Sequence, residues 1–362
     1  MRNTFGQLVS VALFGESRGR SVGIVLDGLP SGIRVDRQCI ARHLQRRKGL
    51  DIVSTARREA DLFEIESGVR GDVTTGTPLT ILIPNNDVAD DMTDNASFPR
   101  PGHADYAQLC RYGDSADLRG GGHSSGRLTA PLVAAGAIVG ELLKAKGILI
   151  GAHIGRMCGI EDRPFDRFAD DITFLHTSDF PVLDEKAKEK MIAKILEAAD
   201  AGDSAGGRID AAVFGMPEGV GEPFFDTVEG VLSQILFSVP AVKAVSFGDG
   251  FSLCDMYGSV ANDAFTIENG HITTGTLHGG GISGGITYGA PLLFSCAVKP
   301  TPSIATLQET VNTKDLTPAT VSAVGRNDPA IVHRACPVVE AVTALALADL
   351  LARRFGCDYL RP

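Results

Sequence analysis

No C-x-x-C pair occurs among the seven cysteines, Cys39, Cys110, Cys158, Cys254, Cys296, Cys336 and Cys357. The spacing used by zinc ribbons and dithiol redox centres is therefore missing. Their odd number and wide scatter read as reduced thiols, several of them buried, and no metal site is expected. The chain also lacks an excess of positive charge. Its 34 Lys and Arg against 44 Asp and Glu leave a net charge of −10, which excludes the usual nucleic-acid binder, whose affinity comes from neutralising many phosphates. Met1 to Gly6 lacks the basic-then-apolar order of a secretory signal, and no apolar run approaches the ~18 residues of a membrane span. A cytoplasmic protein with no membrane partner is expected. No repeat or low-complexity linker interrupts the 362 residues, a length that fits two average domains or one large one. The expectation is one domain over residues 1–362.

What is present is an ordinary globular composition, 44% hydrophobic and 22% charged, with enough apolar surface for a substantial core. Leu8, Val9, Val11, Leu13 and Phe14 suggest a strand over Gln7 to Phe14 that ends at the loop Gly15 to Gly19. A second strand, Val22 to Leu29, closes at Pro30 and Gly32. Asp36 then reads as the cap of a helix carrying Ile40 and Leu44 and ending at Arg46 and Arg47. Leu79 to Ile83 is a buried strand, followed by a long polar loop from Asn85 to Gly102, and long loops inside compact domains often carry function. Arg127 to Gly147 is apolar almost all round, which predicts a helix buried on every side. Lys186 to Ala201 has the pattern of a surface helix. Strands return in Arg208 to Gly215 and Val242 to Phe247, a hairpin region over Gly279 to Gly289 feeds the run Leu292 to Val298, and Val338 to Phe355 is a closing helix. Buried helices packed between sheets satisfy this order.

Four constellations carry chemistry. Arg119-Gly120-Gly121-Gly122-His123-Ser124-Ser125-Gly126-Arg127 precedes the buried helix. Glycines let backbone approach a ligand, Ser124 or Ser125 can cap the helix, and free amides at a helix start attract phosphate. A flexible turn would have the same look, but two arginines and two serines in nine residues favour an anion site. In Arg100-Pro101-Gly102-His103-Ala104-Asp105-Tyr106, a histidine suited to proton transfer follows a rigid turn; a structural histidine is the competing account. Lys299-Pro300-Thr301-Pro302-Ser303 holds a lysine and hydroxyls in directions preset by prolines, or simply ends a strand. Arg326-Asn327-Asp328-Pro329 sets a guanidinium near a carboxylate that can serve as a base or as a helix cap. Arg46, Arg47, Arg57 and Arg58 form a basic cluster against the acidic background, compatible with a small anionic ligand or a solvated face.

In this order and over this length the strings resemble the chorismate synthase family, from about Thr4 to the final helix. The agreement includes Thr4-Phe5-Gly6, the Gly15 to Gly19 loop, Asp27-Gly28-Pro30, Arg57-Glu59-Asp61, Thr75-Gly76-Thr77-Pro78 and RPGHADY. It continues through GGGHSSGRLTAP, PAVKAVSFGDGF, GGISGGI, KPTPSI and RNDP followed by PVVEA. The resemblance implies an α+β fold, a β-α-β sandwich with a buried helical layer between antiparallel sheets. It implies an anti-1,4 elimination that converts 5-enolpyruvylshikimate 3-phosphate to chorismate and phosphate with reduced flavin mononucleotide (FMN), in a homotetramer. His103 would protonate or stabilise the reduced flavin, and Asp328 would help move the substrate proton by way of the flavin. Flavin contacts would come from His123, Ser124, Ser125, Pro240, Ala241, Gly284, Lys299, Pro300, Thr301, Pro302, Ser303 and Arg326. Arg46, Arg47, Arg119 and Arg127 would hold the substrate's phosphate and carboxylates.

The sequence departs from the family pattern at Arg18, where the family's G-E-S-H-G loop has a histidine thought to protonate the departing phosphate. Arginine, with a pKa above ~12, neutralises charge but does not donate that proton. Asn327 replaces a histidine, Ile52 an arginine common in the family, Lys48 a proline, Val260 an acidic residue, and NNDVADDMT replaces N-x-D-x-R-S-x-D-Y. Two rivals follow: a non-catalytic or weakly active flavin- or substrate-binding paralogue, and a small-molecule kinase built on the Gly120 to Ser125 loop, which the missing Walker pattern G-x-x-x-x-G-K-[ST] disfavours. No segment for reducing the flavin in place is visible.

Overall fold

A computed structural model describes residues 3–48, 53–54, 61–86, 94–268, 270–323 and 328–362. Two five-stranded antiparallel sheets form its outer layers. The first runs Thr4–Phe5, Ser10–Gly15, Ser21–Asp27, Leu79–Pro84, Glu64–Ser67 in spatial order. Its register is set by alternation: Leu79, Ile81 and Ile83 are buried while Thr80, Leu82 and Pro84 are half-buried, because successive side chains leave opposite faces of a strand. The second runs Val242–Phe247, Leu292–Val298, Gly207–Phe214, Leu149–Met157, Ile160–Glu161, with Leu292, Phe294, Cys296 and Val298 facing inward.

Between the sheets lie two apolar helices. Thr129–Ala145 packs on Ser21–Asp27 and Leu79–Pro84, and Val332–Phe355 packs on Leu149–Met157 and Gly207–Phe214. They meet at Gly136, where an added Cβ would fall 2.4 Å from the Ala341 Cβ, so this close approach requires a residue without a side chain. Arg37–Lys48 lies against both, and Asp36 Oδ1 accepts the Gln38 N–H at 2.8 Å at its start. The α+β class and the buried helical layer between antiparallel sheets are thus as expected. Buried Asp349 on the last helix accepts the N–H groups of Gln7, Leu8 and Val9 at 2.8–3.0 Å, tying the two ends of the chain together.

Three expectations need correction. The last helix begins at Val332, not Val338; Pro337 removes only the bond to the His333 carbonyl, a loss that burial of the helix outweighs. Two helices, Gly126–Ala145 and Val332–Phe355, are long and apolar enough by composition to cross a membrane. Their apolar faces are occupied by the sheets and by each other, so they are core helices. Helices at Asp105–Tyr112, Phe168–Thr177 and Val228–Leu236 were not anticipated. Cys39, Cys296 and Cys336 are buried, and the seven thiols are unpaired.

Candidate active site

The glycine tract folds as a tight 3-10 turn, Arg119–Ser124, in which Gly120, Gly121 and Gly122 all have positive φ, at 57°, 88° and 54°. That geometry favours glycine, and contact adds to it: a Cβ on Gly120 would lie 2.9 Å from Ser17 Oγ and 3.1 Å from Arg18 Nε. The Gly15 to Gly19 loop is therefore docked on the tract, with the Ser17 N–H donating to the Gly122 carbonyl at 3.1 Å. Ser125 Oγ accepts the Arg127 N–H at 3.3 Å and so caps the short turn that opens the buried helix. Arg127 is thereby swung inward, where its Nε donates to Asn85 Oδ1 at 2.8 Å.

Beside this turn opens a cavity of about 550 Å³. Five cationic side chains, Arg47, Lys48, Arg127, Lys299 and Arg334, and two carboxylates, Asp61 and Asp328, line it. Asp61 binds Arg47 Nη2 at 3.0 Å and also Arg127 Nη1. Burial alone would raise Asp61, but the charges of Arg47 and then Arg127 hold its carboxyl below the usual range. Arg47 is buried, and that burial, reinforced by Arg334 and Arg127 and opposed by Asp61, pulls it down to about 10. Its Nη1 reaches Thr129 Oγ1 at 3.3 Å, while its Nε has no partner among the described residues. Arg334 donates to the Arg47 carbonyl at 3.0 Å and to Asp328. Lys299 Nζ donates to the Gly102 carbonyl, and burial, followed by Lys243, lowers its pKa.

His103 lies on the wall with Nδ1 2.6 Å from Asp105 Oδ1. The Asp105 side chain is wholly buried; burial would raise it, but hydrogen bonds from Arg100 and then His103 hold it far below the usual carboxylate range. Asp105 is thus held as an anion that accepts through both oxygens, and His103 turns Nδ1 toward it.

Of the residues singled out from the sequence, His103, Ser124, Ser125, Arg47, Arg127, Pro240, Ala241, Lys299, Thr301, Pro302, Ser303 and Asp328 converge on this cavity. Others do not line it. Arg18 packs on Gly120. His123 has Nδ1 2.7 Å from the Gly15 carbonyl. Pro300 and Gly284 are exposed, and Gly284 lies in the turn between Ile282–Ser283 and Ile286–Thr287. Exposed Arg119 pairs with Asp117 at 2.7 Å, and Arg46, on a different face of its helix from Arg47, pairs with Glu340 at 2.6 Å. Arg326, with Ile52, Arg57, Arg58, Glu59, Asn327 and residues 87–93 of the divergent polar loop, lies outside the described residues. Sequence reading missed Arg334, which sits among apolar residues at the start of a helix whose first turn was not recognised. It gave Asp61 no role, although an acid following a basic cluster is the signal for a neutralising partner.

Two sheets closing on buried helices, beside a cavity lined by five cations, define an α+β architecture with a site suited to a small anion. The family model "Chorismate synthase" matches residues 9–352. A chorismate synthase of Methanosarcina barkeri is 42% identical over 97% of this chain and 96% of its own length, and one of Thermococcus gammatolerans is 43% identical over 96% and 97%. A crystal structure of chorismate synthase superposes with a TM-score of 0.77 at 26% identity, covering 97% of this chain and 94% of that one. The chain belongs to the chorismate synthase family.

Proposed function

We propose that this chain releases phosphate from 5-enolpyruvylshikimate 3-phosphate by 1,4-elimination to give chorismate, a carbon–oxygen lyase reaction, with reduced FMN bound in the same cavity. The observation that carries this reading is the convergence of five cations, a histidine and two carboxylates on one cavity. A substrate with a phosphate and two carboxylates needs such an excess of positive charge. Arg47, Arg127 and Arg334 are held rigid by Asp61 and Asp328, so they meet the anion with little further ordering.

The cavity also fits a flavin. Its volume lies within the ~300–1,000 Å³ of ligand pockets, and the buried Thr301 Oγ1 on its wall has no hydrogen-bond partner among the described residues. Ser124, Ser125, Pro240, Ala241, Lys299, Thr301, Pro302 and Ser303 would hold the group, with His123, Gly284, Pro300 and Arg326 assigned to it by the family pattern. Reduced FMN supplies electron density that assists carbon–oxygen cleavage without net oxidation. Of the chain's own residues, His103 presents Nε2 to the cavity for proton exchange, Asp328 accepts a proton, and Lys299 sets positive charge on the cavity wall. Arg18, docked beside Gly120 and not on the cavity wall, would act on departing phosphate through its charge at longer range, since a guanidinium does not release its proton near neutral pH. Arg46 and Arg119 support the site from outside the cavity.

The protein works in the cytoplasm as a homotetramer in this reading. Phe251, Tyr257, Phe265 and Ile267 are all at least 68% exposed, and large apolar side chains left in water are what a subunit contact covers. The test is anaerobic phosphate release with chemically reduced FMN, run beside Arg18→His. Phosphate and chorismate are expected from both, faster from Arg18→His by at most the ~100- to 10,000-fold that a general acid contributes. Flavin binding with no phosphate from either form would overturn the reading in favour of a non-catalytic relative.

A further inference from the structure

We propose that Asp105, braced by Arg100, is a positioning residue that keeps the His103 proton on Nδ1 and turns Nε2 toward the cavity; the catalytic weight of this arrangement rests on the function proposed above. Asp105 begins the helix Asp105–Tyr112, and its side chain does not line the cavity. Its Oδ2 accepts the Arg100 backbone N–H at 3.1 Å and Nε at 2.8 Å, and its Oδ1 accepts Arg100 Nη2 at 2.8 Å and His103 Nδ1 at 2.6 Å. An acid that merely favoured the helix start would be satisfied by solvent and backbone. This one is fully enclosed and receives a fork of arginine hydrogen bonds on one side and an imidazole on the other.

Arg100 Nη2 also lies 3.1 Å from His103 Nδ1. Nδ1 has one in-plane site, and of its two neighbours the ionised carboxylate is nearer, at 2.6 Å; a carboxylate can only accept, so Nδ1 carries its hydrogen toward Asp105, and the guanidinium, which can only donate, bonds Asp105 and not the ring. Arg100 extends the clamp to the opposite wall through Nη1, 3.1 Å from Ser303 Oγ. On the far side of the ring, an added Cβ on Gly121 would stand 3.3 Å from His103 Nε2, so the glycine turn leaves room for that nitrogen. The charged groups facing His103 are Asp105 and Arg100 from its own segment and Lys299, bonded to the Gly102 carbonyl. The glycine turn contributes backbone there, with Arg18 beyond Gly120.

Nitrogen-15 NMR of the histidines in the full chain, with His103 assigned through His103→Gln, reads the proposal directly. Neutral His103 is expected to carry its hydrogen on Nδ1. In Asp105→Asn, Arg100 loses its counter-charge, and the His103 titration midpoint falls by about 1–3 pH units. Turnover falls by about 100-fold, the low end of acid–base contributions, with KM little changed, and Asp105→Glu recovers part of both. A hydrogen on Nε2 in the parent protein, or an unmoved midpoint in folded Asp105→Asn, overturns the proposal. Should Asp105→Asn not fold, Arg100→Gln must raise the midpoint, and an unmoved value there is equally fatal. If His103→Gln turns over normally while the tautomer and the shift are as expected, the clamp stands and the assigned role of His103 fails instead.

Discussion

Arg46 and Arg47 are adjacent on one helix, yet they face two different kinds of interior. Arg46 meets Glu340 through two bonds, at 2.6 and 2.9 Å, and Glu340 also accepts the Ala152 N–H at 3.1 Å. The space beside them is only about 50 Å³. Arg47 shares Asp61 with Arg127, keeps an unpartnered Nε among the described residues, and borders the large cavity. Burial opposes charge at both arginines. Glu340 outweighs it and raises the Arg46 pKa, whereas Arg47 remains depressed. A guanidinium with its own carboxylate is part of the scaffold; one that shares a carboxylate retains attraction for an incoming anion.

Breaking the scaffold pair should have the largest effect. Glu340→Gln leaves Arg46 buried without a counter-charge and is expected to cost about 3–5 kcal/mol of folding stability in urea titration. The combined Arg46→Met, Glu340→Leu protein should recover most of that loss, because an apolar pair of similar volume avoids the desolvation cost. A double variant as unstable as Glu340→Gln would show that the pair is not simply scaffold. On the helix face toward the cavity, Arg47→Met should leave stability closer to the parent, since Arg127 still neutralises Asp61. It should raise KM for 5-enolpyruvylshikimate 3-phosphate by about 10- to 100-fold, the equivalent of one charge-assisted hydrogen bond of ~1.5–3 kcal/mol. An unchanged KM would remove Arg47 from the ligand-facing class.

The difference between the two arginines was not legible in the sequence, where both read as one basic cluster, because which side of a helix faces the cavity depends on what packs around it. Glu340 is distant along the chain and sits in a run otherwise apolar, so nothing local marks it as Arg46's partner. The sheets were legible where alternation or continuous apolar runs persisted, as in Leu79–Pro84 and Leu292–Val298. Asp105–Tyr112 was missed because its helical face is short and its first residue belongs to a motif read for chemistry. The glycine tract, His103 and the Lys299 segment were legible because glycine, proline and histidine at those positions do work that few other residues can. Their convergence, with Arg334 among them, comes from the last helix crossing beneath them, which is a property of the fold.

Each region also contains a histidine, half-buried His43 in one and buried His333 in the other, and this permits a finer comparison at smaller energies. His43 lies beside the Arg46–Glu340 pair, and burial, aided by Arg46 and His176 and opposed by Glu340, pulls it down to about 4. His333, with Nε2 2.9 Å from Ser54 Oγ, lies next to Arg334 and is pulled down to about 4 by burial and then by Arg334. Between about pH 6.5 and pH 4 the unfolded chain binds a proton at each position and the folded chain does not. Stability therefore falls as pH falls through that window, by at most about 1.4 kcal/mol per pH unit for each histidine. His43→Gln and His333→Gln should each flatten this acid limb in urea titrations, and an unaltered slope in both would refute the assignment. Inorganic phosphate should separate the two: bound near Arg334 it offsets the charge that helps keep His333 neutral, so it should flatten the limb in His43→Gln and leave it unchanged in His333→Gln.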